Sequence, residues 1–586
     1  MSSGPGEIMA MAWLLALLTL STSHPLLGAT ASEAAKSEAS SDWSRLVDGF
    51  FDQYFKLNPT QGTSAGFHQY DSDLEDYSRS GIDREIAFAH DYLGRLKKFD
   101  SSVLPLEERQ DYQLVTNNLQ STLLELQEIR SWEKNPDRYS SGLTQSAFVI
   151  MSRKFAPPDK RLRSLIDREK AMPGVLVAAK QNLKNPPRIY MEVAIQQLPG
   201  IVSFFQKDVP EAFHDVTDQQ LLSDFRSSNT AVIAALEDYE KFLKETLLPR
   251  SQGDFRIGAE NYRKKLLYDE MVDVPTDRLL QIGYDDLRRN QQWFKKVAGQ
   301  LDPKKTPDQI RTELQQDHPA PDQLLQTFRD DLTGIRQYIV DRQIVTIPSP
   351  VPPMLQETPP FARALTFASM DTPGPYETVA KEAFFNVTLP EQDWPKASTE
   401  SFMGQFNRAT MIAVAVHEVY PGHYVQFLWV PSAPAKVRKL LGCGSNAEGW
   451  AHYSEQMMLD EGYGKGDPRL RLGQLLDALL RDARYIVGIS MHTGKMTFGE
   501  AVQFFQTEGY QTQSVAEVET KRGTSDPTYL VYTLGKLEIM KLREDYQRKM
   551  KDRFSLQEFH DTFLRQGFPP VKIVRATMLG DDSPTL

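Results

Sequence analysis

The chain has 586 residues, of which 40% are hydrophobic and 25% are charged, a composition typical of a folded globular protein. Its formal net charge is −11, and no basic stripe stands out along the sequence. Because nucleic-acid binding relies on concentrated positive charge, these features argue against a nucleic-acid partner.

The first recognisable pattern is an apolar run at residues 9–20, MAMAWLLALLTL, followed by the small residues Ala29, Thr30 and Ala31. An apolar run before an A-x-A site is typical of a signal peptide, so residues 1–31 are predicted to direct export to the periplasm or the extracellular space. The run is shorter than the ~20 residues needed to cross a bilayer, which predicts no membrane span.

The chain contains one cysteine, Cys443, which excludes an internal disulfide. Its position between two glycines is compatible with a thiolate nucleophile. No paired base is evident, however, and a lone cysteine is more typical of a small buried hydrophobic residue.

Apolar residues recur at helical spacing along most of the chain, which predicts a mainly α fold. The pattern is clearest in DWSRLVDGFFDQYFKL, in DREIAFAHDYLGRLKKF and in four further segments, at residues 107–131, 217–247, 276–300 and 322–344. Alternating, β-branched runs are scarce. The two best, at residues 342–349 and 382–390, predict at most a small sheet beside a cleft.

The densest proline cluster, IPSPVPPMLQETPPFARAL at residues 347–365, cannot form a continuous helix. It is predicted to join an N-terminal helical half, residues 32–345, to a C-terminal half, residues 346–586. The two halves are expected to form one integrated helical body.

The sequence HEVYPGHYVQ at residues 417–426 resembles a zinc-protease helix with the wrong spacing. In H-E-x-x-H, two histidines four residues apart share one helical face. Here the step from His417 to His423 is six residues, and on a regular helix it would leave the imidazoles about 120° apart. Pro421 and Gly422 can distort that turn and return His423 to the face of His417.

A catalytic zinc ion takes three protein ligands, and the next candidate lies downstream in SNAEGWAHYSEQ. Glu448 is 25 residues past His423, enough for a hairpin back to the first helix, with His452 and Glu455 on the same predicted helix. The alternative interpretation is a hydrogen-bonded core histidine at 417 and a surface acid at 448.

Three motifs in order resemble a known family: H-E-x-Y-P-G-H-x-x-Q at 417–426, E-G-W-A-x-Y at 448–453, and Y-x-x-G-x-x-E-I-x-x-L-R at 532–543. They resemble the bacterial domain of unknown function 885 family, which is grouped with gluzincin-type metallopeptidases. The resemblance implies a helical clamshell with a deep active-site groove in which the C-terminal half is the zinc-binding, catalytic half. It also implies specific roles for four residues: His417, His423 and Glu448 as zinc (Zn2+) ligands, and Glu418 as general base. Position 452 departs from the family, since an apolar residue is expected there.

The predicted function is an exported zinc-dependent metallopeptidase that hydrolyses small peptides, with Glu418 taking a proton from water that zinc activates. Tyr532, which the family motif favours, or His492 would stabilise the oxyanion, and Arg543 or Arg408 would bind a substrate carboxylate. Packing and structural salt bridges are the alternatives for these four side chains. Two other functions stay open: a zinc hydrolase of a non-peptide amide or ester, and an inactive scaffold, against which the intact Glu418 weighs.

Overall fold

A computed structural model describes residues 27–359, 363 and 366–586, with side chains from residue 37 onward. The apolar run of the predicted signal peptide, residues 9–20, lies outside the described residues. Among the residues described, no helix is both long and apolar enough to cross a bilayer.

The predicted N-terminal half folds into helices joined by short turns. In chain order they are α1 (Leu27–Leu57), α2 (Pro59–Ala65), α3 (Arg79–Lys98), α4 (Leu106–Leu123), α5 (Ser131–Lys134), α6 (Asp137–Met151), α7 (Pro158–Asn182), α8 (Arg188–Ser203), α9 (Val209–Ala212), α10 (Gln219–Lys241), α11 (Ala259–Glu270), α12 (Thr276–Leu301), α13 (Pro307–Gln316) and α14 (Leu324–Arg342). Each helical segment predicted for this half is confirmed, and π-helical turns extend the segments after α4 and α10.

The remaining residues form three short strands and a second set of helices. The strands are β1 (Met354–Glu357), β2 (Ala368–Asp371) and β3 (Phe384–Val387). The helices are α15 (Lys396–Met403), α16 (Arg408–Glu418), α17 (His423–Trp429), α18 (Lys436–Leu440), α19 (Gly444–Asp460), α20 (Pro468–His492), α21 (Phe498–Thr507), α22 (Gln513–Ser525), α23 (Val531–Met550), α24 (Leu556–Leu564) and α25 (Val571–Leu579). The mainly helical class with one small sheet is therefore confirmed.

The three strands form one sheet in the order β1–β3–β2, with β1 parallel and β2 antiparallel to β3. The strand predicted within residues 382–390 is confirmed as β3. The one predicted at 342–349 is wrong, because α14 ends at Arg342 and the following backbone is irregular. Ile344 and Val345 are apolar there because they pack into the helical core.

Four hydrophobic cores in the described chain combine residues from both sides of residue 345. One joins α14 to β3, α16, α17, α19 and the C-terminal helices, and another joins α11 and α12 to α20 and the start of α23. This packing holds α16, α19, α20 and α23 side by side. The division of the chain into two halves stays a prediction.

Candidate metal centre

The helix that carries His417 is broken immediately after it, as predicted from Pro421 and Gly422. Helix α16 ends at Glu418 and α17 begins at His423, and the amide of Gly422 donates to the carbonyl of Val416 over 2.9 Å. A Cβ atom at Gly422 would lie 1.8 Å from the carbonyl oxygen of His417. Only glycine therefore allows the chain to fold back so closely on α16.

The break brings the two imidazoles together in front of Glu448. Nε2 of His417 and Nε2 of His423 each lie 3.4 Å from Oε2 of Glu448, and the two ring centroids are 4.9 Å apart. One ligand atom from each of these residues lies within 4.8 Å of the others. We refer to His417, His423 and Glu448 as the His–Glu cluster.

The spacing within the His–Glu cluster fits a tetrahedral metal ion. Bonds of about 2.1 Å at tetrahedral angles place neighbouring ligand atoms about 3.4 Å apart, the separation between Glu448 and each imidazole. Oε2 of Glu448 is also buried without a hydrogen bond. A buried carboxylate oxygen normally has a partner, and a cation at this point would provide one.

Helix α19 is positioned by the residues next to Glu448 in the second sequence motif. A Cβ at Gly449 would lie 2.5 Å from Cα of Gly535, so α19 and α23 cross with their backbones in contact. Nε1 of Trp450 donates to the carbonyl of Pro421 over 2.9 Å, which fixes α19 to the turn between the histidines. The glycine and tryptophan of the motif thus place Glu448 opposite the two imidazoles.

On the side away from the metal position, Glu455 hydrogen-bonds to the imidazole of His417. Its carboxylate accepts from Nδ1 of His417 over 2.7 Å and from Nδ1 of His452 over 3.1 Å. Arg481 of α20 approaches the same carboxylate within 3.1 Å. A carboxylate on Nδ1 orients an imidazole and leaves Nε2 facing the metal position.

Beyond Glu455 lies a group of charged and polar side chains in the protein interior. It comprises His452, Lys536, Asp286 and Asp482, which we call the buried network. Lys536 donates to Asp286 over 2.9 Å, and Asp482 accepts from Asn290 and Thr533. The departure from the family at position 452 therefore places a histidine in this network, bonded to Glu455.

Electrostatics within the cluster favour ionised carboxylates facing the imidazoles. Burial lowers the pKa of His417, but its close contact with the Glu448 carboxylate and its hydrogen bond with Glu455 outweigh burial and raise that pKa to about 9. Burial likewise raises the pKa of Glu448, and the two imidazoles overcome this effect and hold it well below its usual range. This concentration of negative charge suits a divalent cation.

Glu418 occupies the end of α16 next to the first ligand. Burial raises the pKa of its carboxyl group, and the charges of His417 and His423 oppose the shift. The backbone amide of Met370, in strand β2, hydrogen-bonds to the carboxylate and also lowers its pKa. Glu418 thus lies between the metal position and one edge of the sheet.

Tyr532 is the predicted oxyanion donor that the structure brings to the cluster. Its ring stacks on that of His417 with centroids 6.3 Å apart, and its hydroxyl accepts from Arg522 over 3.2 Å. The guanidinium groups of Arg481 and Arg484 lie 5.6 and 5.1 Å from the centre of the same ring. The hydroxyl therefore lies in a cationic environment beside the cluster.

His492 is not part of this site. It lies at the end of α20, eleven residues beyond Arg481, which is about 16 Å along a helix. Its Nε2 is hydrogen-bonded to the carbonyl of Gly523 over 2.8 Å, and burial lowers its pKa to about 4. The oxyanion role predicted for His492 is not supported, because its position is fixed elsewhere.

The two arginines predicted to bind substrate are also remote from the cluster. Arg408 begins α16, nine residues and about 14 Å before His417, where it pairs with Asp317. Arg543 is about 16 Å along α23 from Tyr532 and pairs with Glu461 over 2.6 Å. The structure does not support their substrate roles and favours the alternative of structural salt bridges.

Cys443 precedes the first turn of α19 and lies beside the buried carboxylate of Glu270. Burial, and next the charge of Glu270, raise the pKa of its thiol well above the usual value. These features favour a structural cysteine over a nucleophile.

Glu455 and Arg481 are the side chains at the site whose roles the sequence did not reveal. Glu455 falls seven residues after Glu448, a spacing that indicates one helical face but not a bond to His417. Arg481 is 64 residues from His417 and reaches Glu455 only because α20 packs on α16. No pattern of neighbouring residues in the sequence predicts a contact between such distant residues.

Comparison with solved structures shows that the fold has relatives. A protein described as "a putative lipoprotein of unknown function from Shewanella oneidensis" is 29% identical, with a TM-score of 0.77 over 92% of this chain and 99% of that one. A "putative lipoprotein from Colwellia psychrerythraea" is 19% identical, with a TM-score of 0.73 over the same shares, a likeness of fold. The comparison with curated proteins found no match.

The comparison with protein-family models agrees with the three motifs. Residues 59–578 match the family described as "Bacterial protein of unknown function (DUF885)". The match extends from α2 to α25 and so includes the predicted N-terminal half, in which no family motif was recognised. The chain therefore belongs to this family.

Proposed function

We propose that this protein is an exported zinc-dependent metallopeptidase that hydrolyses amide bonds of small peptides. The observation that carries the proposal is the equal spacing of two imidazole nitrogens, each 3.4 Å from the same buried and otherwise unbonded oxygen of Glu448. Glu418, adjacent to one of these ligands, provides a carboxylate without taking part in the ligand set.

The side chains around the cluster suit amide hydrolysis. Zinc held by His417, His423 and Glu448 supplies Lewis acidity for a carbonyl oxygen and a water molecule. Glu418 takes a proton from the attacking water and returns it to the leaving amine, and the burial that raises its pKa favours this exchange. Tyr532 donates its hydroxyl hydrogen to the carbonyl oxygen as negative charge develops there.

The strand beside Glu418 supports a peptide as the substrate. Among the described strands β2 pairs with β3 alone and lies at an edge of the sheet, and the amide of Met370 reaches the Glu418 carboxylate. Main-chain groups at the edge of a sheet can hydrogen-bond to an extended peptide. A peptide paired with this edge would run past the general base.

Export is supported by two observations. The leader has the pattern of a signal peptide. The relative that is 29% identical is described as a putative lipoprotein. Secretion of a fusion that carries residues 1–31, compared with one that lacks them, tests this part of the proposal.

The experiment that tests the function combines metal analysis with digestion. Purified protein is expected to contain about one zinc ion per chain, and to cleave members of a mixed peptide library that are identified by mass spectrometry. Glu418→Gln protein, prepared in the same way, serves as the control for contaminating peptidases. Bound zinc with cleavage of model esters or non-peptide amides alone would favour the alternative hydrolase, and an absence of bound zinc would contradict the proposal.

A further inference from the structure

Two adjoining cavities lie against the helices of the predicted N-terminal half. One has a volume of about 470 Å³ and the other about 390 Å³, and four polar residues line both: Asn58, Gln61, Glu85 and Arg138. The two cavities adjoin at these four side chains, and we refer to them together as the N-terminal channel. Its size is that of a site for a small ligand.

The larger cavity reaches towards the His–Glu cluster. Cys443 and Gly444, at the beginning of α19, form part of its wall. Gly444 lies four residues before Glu448, which is one turn of the same helical face and about 6 Å along the axis. A ligand that fills the channel would thus approach the proposed reaction centre from one end.

Two opposite charges lie at the junction of the cavities: the partly buried carboxylate of Glu85 and the exposed guanidinium of Arg138. Within the described part of the chain, neither the carboxylate of Glu85 nor the guanidinium of Arg138 has a hydrogen bond or an ion pair. Their mutual attraction acts only at longer range. Neighbouring side chains are bonded, since Glu75 accepts from Thr60 and Tyr54 donates to Gln61.

The balance of charge around Glu85 distinguishes between possible ligands. Burial is the main reason that its pKa is raised, and Glu75 and Glu125 add to the shift while Arg138 opposes it. Two nearby acids against one cation would repel a carboxylate and attract an ammonium group. An ammonium at Glu85 would also relieve the cost of a poorly solvated, unpaired carboxylate.

We propose that the N-terminal channel binds the free amino terminus of a short peptide. The terminal ammonium group pairs with Glu85, and Arg138 donates to the carbonyl oxygen of the first residue. The amide side chains of Asn58 and Gln61 face the same junction and suit the peptide groups that follow. The orientation of the peptide rests on the proposed function, which places the reaction centre at the His–Glu cluster. The amino end of the peptide lies away from that cluster.

The test measures binding rather than turnover. Isothermal titration is performed on the Glu418→Gln protein with three alanine pentapeptides that carry free ends, an acetylated amino end or an amidated carboxyl end. Acetylation is expected to weaken binding at least about tenfold, because it removes the charge that pairs with Glu85. Amidation is expected to leave affinity unchanged within error.

Substitutions at Glu85 and Glu128 test whether the N-terminal channel causes the preference for a free amino end. Glu85→Gln, made in the same background, should remove the difference between free and acetylated peptides. Glu128→Gln, which alters an exposed acid on the neighbouring helical turn, should retain it. If Glu85→Gln fails to fold, as judged by thermal melting, Glu85→Asp keeps the charge and should keep a weaker preference.

The outcomes separate this inference from the proposed function. Equal affinity for free and acetylated peptides, or a larger effect of amidation, overturns the inference even if the wild-type protein cleaves all three. Selective binding of free amino ends by a protein that cleaves none of them supports the inference and contradicts the proposed function.

Discussion

Two regions that meet at Glu455 have similar residues but different bonding. On one side, the His–Glu cluster holds imidazoles and a carboxylate around a common point, where Oε2 of Glu448 has no hydrogen bond. On the other, the carboxylates of the buried network bond directly to Lys536, Asn290 and Thr533. The comparison shows that unsatisfied ligand atoms at equal spacing, rather than buried charge itself, indicate a metal site.

The largest expected effect is loss of the metal when a member of the cluster is removed. His417→Ala, His423→Ala and Glu448→Ala should each lower zinc content from about one ion per chain to near zero, because two ligands are too few to retain it. Metal analysis after dialysis measures this. His452→Ala provides the matched control, because His452 bonds to the same Glu455 from the buried network and should leave zinc in place. Equal loss of zinc from the His452→Ala protein would show that the His–Glu cluster and the buried network do not differ in metal binding.

A methyl group at Gly422 should be nearly as damaging as loss of a ligand. In Gly422→Ala the added Cβ meets the His417 carbonyl at 1.8 Å, so the turn must open and carry His423 away from Glu448. We expect zinc to be lost and the free energy of unfolding to fall by about 3 kcal/mol or more, the upper range for overpacking. Denaturant unfolding measures the change. Gly299→Ala, where a Cβ meets no atom within 4 Å, is the control and should be neutral or slightly stabilising. A stable, zinc-loaded Gly422→Ala protein would refute the close packing of this turn.

Glu418 should affect turnover without affecting the metal. Glu418→Gln removes the proposed base but none of the three ligands, so kcat is expected to fall about 10²- to 10⁴-fold while zinc content is unchanged. Steady-state kinetics on a peptide found in the library digest, together with metal analysis, measure both quantities. Near-normal turnover would reassign the base, and lost zinc would make Glu418 part of the ligand set.

The smallest effect is expected at the boundary between the two regions. Glu455→Gln keeps the shape of the side chain but weakens its hold on Nδ1 of His417, which should lower zinc affinity about 10- to 100-fold. Competition with a fluorescent chelator measures the affinity. Affinity equal to that of the wild-type protein would mean that Glu455 belongs only to the buried network.

Sequence reasoning succeeded where local chemistry determines geometry. Pro421 and Gly422 predicted the broken helix, because a missing amide and a missing side chain act on their immediate neighbours. The helical class followed from the apolar periodicity. The strand predicted at 342–349 was wrong because an apolar run does not reveal whether its burial comes from a sheet or from helices.

The rest of the site depends on contacts between distant helices. His492 and Arg543 have suitable chemistry, but eleven residues along a helix separate each of them from the side chain that reaches the site. The packing of α20 brings Arg481 to Glu455, a contact that no sequence motif predicts. Helix crossings such as that of Gly449 on Gly535 decide these positions, and they become visible only in three dimensions.

The most direct test of the account is to locate the metal in crystals of the purified protein. Anomalous diffraction on the two sides of the zinc absorption edge should give one strong peak per chain. The peak is expected about 2.1 Å from Nε2 of His417, Nε2 of His423 and Oε2 of Glu448, with Glu455 on the far side of His417. A peak at another position, or zinc-supplemented crystals without a peak at this cluster, would contradict the central claim.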